Sequence, residues 1–188
     1  MAVKIKPWVH VAIVLAIFLC IYFATRLFNL TKLPIFTDEA IYIRWSQIGS
    51  QDANWRFISL TDGKQPLFTW ITMVLLRFIR DPLFAGRFVS VLAGATSVIG
   101  IWLVSFELFR NKNAAFLASV VYLICPFTLM YDRMALYDSL TASLYIWSLY
   151  VSVLLIRLVR LDVAFILGVV LGLGMLNKSI GFLSLYLL

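Results

Sequence analysis

Four short stretches of an otherwise apolar chain hold groups able to move a proton or hold an anion. Thr37, Asp38, Glu39 and Ala40 open the stretch DEAIYIRWSQIG, and a carboxylate there could act as a general base toward a hydroxyl. In TDGKQPLF, residues 61–68, Lys64 stands just ahead of a proline-started helix, where an ammonium and backbone N–H groups can address one phosphate. YDRMALYDSL presses Asp132, Arg133 and Asp138 between two apolar runs with almost no loop, and charges that close to hydrocarbon are costly unless paired or functional. Lys178, in GLGMLNKSIGFLSL, is a lone cation between apolar stretches, and its natural partner is an anionic headgroup.

Each stretch also has a structural explanation. Acids in a first helical turn complement the helix dipole, and Thr37 or Asp38 can serve simply as the N-cap. Lys64 can snorkel to lipid headgroups. Asp132 with Arg133 can be a surface charge patch, and Lys178 can mark a helix end. Cys20 and Cys125 lie inside apolar runs without CxxC or metal-ligand spacing, so neither a disulfide framework nor a zinc site is expected. The motifs assign no cofactor, although Asp38 and Asp138 together could ligate a hard divalent cation.

The elements that must position these groups follow from hydropathy. The chain is 63% hydrophobic with a mean hydropathy of +0.97, which excludes a water-soluble fold. The net charge of +7 comes from short basic clusters between apolar runs, a placement that orients helices in a bilayer and argues against nucleic acid as a partner. Lys4 and Lys6 precede Trp8 to Leu27, a run too long for a signal-peptide core and lacking a small-residue cleavage site, so it reads as a retained first span. Phe88 to Phe109, Ala114 to Met130 and Ser139 to Leu158 are further spans, and Val163 to Leu176 is a shorter one. That last run carries Gly168, Gly172 and Gly174 at a spacing suited to close helix packing. The expected fold is all-α: a polytopic bundle of five to six transmembrane helices.

Topology turns on Pro66 to Ile79, which is too short to cross comfortably and is bounded by Lys64, Arg77, Arg80 and Arg87. Read as interfacial, it leaves Phe28 to Arg87 as one external loop with juxtamembrane amphipathic helices. Ile41, Trp45 and Ile48 recur there at helical spacing. FRNKN and RLVRLD then become internal turns, and Asp38, Glu39, Lys64, Arg133, Asp138 and Lys178 share the external boundary. Asn29, Leu30 and Thr31 form a short glycosylation sequon on that side. The chain stops at Leu188 within an apolar stretch, so residues 1–188 read as the amino-terminal part of a longer protein.

The order of these features resembles the protein O-mannosyltransferase superfamily. The signature is a first helix, an external DE, GKQPL, FAGRFVSVLAG, CPFTLMYDRMALYDSL and GLGMLNKSIGFLSL. The likeness is to the prokaryotic branch, which includes the lipid A aminoarabinose transferase, and it runs from Trp8 essentially to the end. It implies an integral enzyme of the prokaryotic plasma membrane with an external active face. Such an enzyme moves a sugar with inversion from a polyprenyl-phosphate donor to a protein, lipid or glycan acceptor. Carried onto this sequence, Asp38 and Glu39 match the acidic motif, Lys64, Pro66 and Leu67 the second segment, Arg133 and Asp138 the next loop, and Lys178 a later lysine. Gln65 stands where the family commonly has proline, and Ser179 where it has glycine. The resemblance implies Asp38 as general base with Glu39 orienting the acceptor or supporting it. It implies Asp138 positioning the acceptor or a metal, and Lys64, Arg133 and Lys178 holding the donor phosphate. A transporter or flippase would instead spread its charges through the bilayer depth, and a non-catalytic subunit would leave Asp38 and Asp138 far apart.

Overall fold

The computed structural model describes residues 7–179, with side chains from residue 11 onward. Among the described residues every regular element is helical. Eight α-helices run in chain order: α1 (Pro7–Leu27), α2 (Thr37–Gln51), α3 (Leu67–Leu75), α4 (Pro82–Phe109), α5 (Lys112–Ile124), α6 (Pro126–Tyr131), α7 (Tyr137–Leu158) and α8 (Leu161–Asn177). Short 3₁₀ turns fill the loop between α1 and α4.

Among the described residues three segments are long and apolar enough to cross a bilayer: Val11–Lys32, Pro82–Phe109 and Tyr137–Leu158. The expected span from Ala114 to Met130 is broken into α5 and α6. Pro126 cannot donate a backbone hydrogen bond and forces the residue before it out of helical geometry, so Cys125 is extended at φ −60°, ψ 125°. The same residue type begins α4, where Pro82 occupies the first turn and Asp81 accepts from the Leu83 and Phe84 amides at 3.0 and 3.3 Å. Helix α3, the core of the ambiguous Pro66 to Ile79 segment, has nine residues. Such a helix rises only about 14 Å, under half of a bilayer core.

Helix α4 is the central post, packing against α1, α5, α7, α2 and α3, while α8 packs on α7. One apolar cluster joins Phe18, Tyr22, Val91, Val98, Trp102 and Tyr122. A second, of Tyr42, Ile43, Phe68, Val89, Ala135 and Tyr137, fastens α2 and α3 onto the ends of α4 and α7. Helix α2 presents Glu39, Tyr42, Ile43, Ser46 and Gly49 to the bundle and leaves Ile41 38% exposed, so its docking face mixes polar and apolar residues. At the far end of the bundle Glu107 pairs with Arg110 at 3.0 Å and with Arg157, which brings the FRNKN and RLVRLD turns together. Among the described residues, a side chain at Gly168, Gly172 or Gly174 would meet nothing within 4 Å outside its own helix. Close approach matters at Gly94 of α4, where any side chain would fall on the Tyr22 hydroxyl and the Asp132 carboxylate.

Candidate functional site

Glu39 and Arg87 set the geometry from which the site is built. Both side chains are fully buried, and the Arg87 guanidinium donates to Glu39 through Nε at 2.9 Å and Nη2 at 2.8 Å. Glu39 also accepts from the Ala135 amide at 2.6 Å and the Phe36 amide at 3.0 Å. The remaining Arg87 donors go to the carbonyls of Leu30, Leu33 and Pro34 at 2.7 to 3.1 Å. One buried pair therefore ties the end of the α1 connection, the start of α2, α4 and the loop before α7. Burial alone would raise the Glu39 pKa. The Arg87 hydrogen bonds, then the Phe36 and Ala135 amides, outweigh burial and hold it below the ordinary carboxylate value. Phe36, not Thr37 or Asp38, is the N-cap of α2.

This clasp leaves the neighbouring Asp38 exposed in the first turn of α2. Asp38, Lys64, Asp138 and Lys178 line one cavity of about 440 Å³, together with Tyr42 and Asn177. Lys64 arrives there because Gly63 takes a left-handed φ of +68° and turns the chain out of the preceding 3₁₀ segment. Lys178 follows the last residue of α8 and donates to Asp138 at 2.9 Å, with both side chains nearly half exposed. Tyr42 sits against the Asp38 carboxylate. Burial first, then the Asp38, Asp138 and Asp62 charges, push its pKa up to about 12, so it stays a proton donor. Asn177 is buried and clamps α8 to α7 by donating to the Tyr137 carbonyl at 3.0 Å and Thr141 at 2.8 Å. Gln65 reaches Ser179 at 3.4 Å, so the two positions that depart from the family pattern face each other across the cavity.

Two of the residues expected at the site lie elsewhere. Glu39 does not line this cavity, since both its oxygens are taken up in the clasp. Arg133 does not line it either. Its guanidinium donates to the Phe28 and Asn29 carbonyls at 2.8 and 3.3 Å and fastens the end of α1. Asp132 is no surface charge patch. It is 1% exposed, accepts from Ser139 at 2.9 Å and from Tyr122 at 3.3 Å, and has Arg26 at 3.9 Å. Because Ser139 follows Asp138, that buried contact fixes the start of α7 and the acid it carries.

Tyr42, Arg87, Asn177 and Arg26 are the residues sequence reading missed. An arginine within the apolar run FAGRFVSVLAG, or at the end of the first span, signals a buried partner. Tyr42 and Asn177 carried no comparable signal. Among the described residues no group of three or more His, Cys, Asp or Glu side chains could hold a metal ion, and the cavity itself offers the two carboxylates Asp38 and Asp138. Chemically the cavity combines an exposed base, a second acid and two ammonium groups, enough to deprotonate one substrate while holding an anion on another.

Compared with known proteins, the model of the dolichyl-phosphate-mannose-protein mannosyltransferase family matches residues 63–187, about two thirds of the chain. The matched range takes in Lys64, Asp138 and Lys178 and begins after Asp38. No curated protein and no solved structure matches.

Proposed function

We infer that this chain, which belongs to the dolichyl-phosphate-mannose-protein mannosyltransferase family, transfers a sugar with inversion from a polyprenyl-phosphate donor to an acceptor hydroxyl, at the cavity between α2, α7 and α8. The family match makes it a membrane glycosyltransferase with a lipid-linked sugar donor. The single observation that carries the residue assignment is that Asp38, Lys64, Asp138 and Lys178, far apart in sequence, line one cavity.

Asp38 is the general base. The acceptor oxygen attacks the anomeric carbon from the face opposite the phosphate, its proton passes to Asp38, and the bond from the anomeric carbon to the phosphate oxygen breaks. The departing polyprenyl phosphate gains negative charge, which Lys64 and Lys178 stabilise as point charges. Asp138 holds Lys178 in place through its 2.9 Å contact and positions the acceptor. Glu39 supports Asp38 through the clasp with Arg87, and Arg133, in the loop before α7, braces the same end of the bundle by donating to the Phe28 and Asn29 carbonyls. The acidic pair also suits a hard divalent cation completed by phosphate oxygens and water. With α3 too short to span, the FRNKN and RLVRLD turns fall inside and the cavity opens on the external face, which the family resemblance makes that of a prokaryotic plasma membrane.

A non-catalytic subunit would leave Asp38 and Asp138 apart, whereas both line the same cavity and both act on Tyr42. A transporter or flippase would distribute its charges along a path, whereas these cluster at one end of the bundle. The test uses the protein reconstituted in nanodiscs with a radiolabelled polyprenyl-phosphate mannose. Lys178→Gln is expected to raise the KM for donor by about tenfold, the scale of one lost charge-assisted contact. An unchanged KM removes Lys178 from the donor site, and transfer by no reconstituted preparation on any hydroxyl acceptor sinks the reading as a whole.

A further inference from the structure

A second cavity, of about 360 Å³, lies between the end of α2, the 3₁₀ turns and α3, and shares no lining residue with the cavity of Asp38 and Asp138. Gly49, Phe57, Trp70 and Met73 form its walls, and Arg56 and Arg77 stand at its rim. Gly49 lets Met73 close the floor, since a Cβ there would fall on the Met73 methyl. The turn that carries Arg56 is braced. The Trp70 indole donates to the Arg56 carbonyl at 2.8 Å, and the Phe57 ring meets Trp70 edge-on with centroids 5.2 Å apart.

Both arginines are exposed, and among the described residues neither has a carboxylate within ion-pair distance. Around them Trp55, Phe57, Val74 and Phe78 are 50, 56, 53 and 79% exposed. An apolar and aromatic surface of that kind is unfavourable in water and suits the headgroup boundary of a bilayer, where arginine stems lie on apolar surface and their charged ends meet phosphate. The connectivity agrees, because the apolar span of α4 starts at Pro82, a few residues after Phe78.

We propose that this cavity binds the headgroup of an anionic phospholipid, with the phosphodiester held between the guanidinium groups of Arg56 and Arg77. Guanidinium forks match phosphate oxygens bidentately. Two uncompensated positive charges favour a lipid of net negative charge over a zwitterionic one, whose ammonium they repel. The apolar walls and exposed aromatic rim favour a lipid over a soluble phosphoester. The site is independent of the transfer reaction and would leave Asp38, Lys64, Asp138 and Lys178 untouched.

The experiment is native mass spectrometry of the whole protein titrated with dioleoylphosphatidylglycerol or dioleoylphosphatidylcholine, with and without millimolar inorganic phosphate. Wild type is expected to retain the first bound phosphatidylglycerol about tenfold more strongly, in keeping with the attraction of two basic residues for an anionic surface. Arg56→Gln/Arg77→Gln is expected to bind both lipids equally. Arg56→Lys/Arg77→Lys keeps the charge, loses the fork and guards against a misfolded glutamine pair, and it is expected to show a reduced but persistent preference. Equal retention of the two lipids by wild type, an undiminished preference in the glutamine pair, or displacement of the lipid by inorganic phosphate would overturn the proposal.

Discussion

Asp38→Asn is expected to lower sugar transfer by about 10²–10⁴-fold, the range a positioned general base contributes, with little change in donor KM. Asparagine keeps the size and the hydrogen-bonding reach of the side chain and removes only its capacity to take a proton. Asp38 is exposed at the start of α2 and takes no part in the buried clasp, so the substitution should leave thermal stability within about 0.5 kcal/mol of wild type. The split between kcat and KM is what identifies the role. A residue that only bound donor phosphate would move KM, as Lys178→Gln is expected to do. Steady-state transfer with saturating acceptor measures both, and full activity of Asp38→Asn would remove Asp38 from the reaction.

The second large effect concerns stability. Arg87→Leu strands the Glu39 carboxylate among buried groups and leaves the Leu30, Leu33 and Pro34 carbonyls without their donor. Breaking a buried pair from one side costs about 3–5 kcal/mol, which for a chain of this size corresponds to a Tm lower by roughly 6–20 °C. Glu39→Gln should cost less, because its amide can still accept from the Ala135 amide. The same pair predicts a pH dependence. Glu39 has a folded pKa depressed below its ordinary 4.5, so its contribution is fully present above that value and is lost as pH falls through the folded pKa. Wild type should therefore hold its Tm between pH 7 and pH 5 with respect to this group and lose stability below it, with a shallower acid limb in Glu39→Gln. Differential scanning fluorimetry from pH 7 down through the folded pKa of Glu39 reads both effects. Parallel acid limbs would show that Glu39 is not the group responsible.

The bundle was legible because hydrophobic run length is a direct readout of bilayer thickness: the first span, the α4 span and the α7 span emerge where Trp8 to Leu27, Phe88 to Phe109 and Ser139 to Leu158 are apolar. The break at Cys125 and Pro126 was also written in the sequence, but hydropathy averages across a proline that backbone geometry does not tolerate. At the site, charge and proximity to hydrocarbon marked Asp38, Lys64, Asp138 and Lys178. Which of two adjacent acids faces solvent was not legible. Asp38 and Glu39 are alike in composition and dipole terms, and only docking of α2 on α4 decides that Glu39 is the one buried against Arg87. Likewise nothing local distinguishes Asp132 from Asp138. The first is drawn inward by Tyr22 and Arg26, from α1 more than a hundred residues back, and by Tyr122 on α5. Tyr42 and Asn177 escaped notice because an aromatic and an amide near helix ends are ordinary, and their part appears only when α2, α7 and α8 meet.

The central claim is that one cavity, bounded by Asp38, Lys64, Asp138 and Lys178, receives the sugar phosphate of the donor. The most direct measurement is photolabelling of the whole protein in nanodiscs with a polyprenyl-phosphate sugar bearing a diazirine on the sugar, followed by peptide mapping and competition with unlabelled polyprenyl phosphate. Competable adducts are expected at the starts of α2 and α7 and beside Lys178. Adducts confined to the apolar groove of Val14, Phe18 and Phe116 between α1 and α5, or labelling that excess polyprenyl phosphate does not displace, would contradict it.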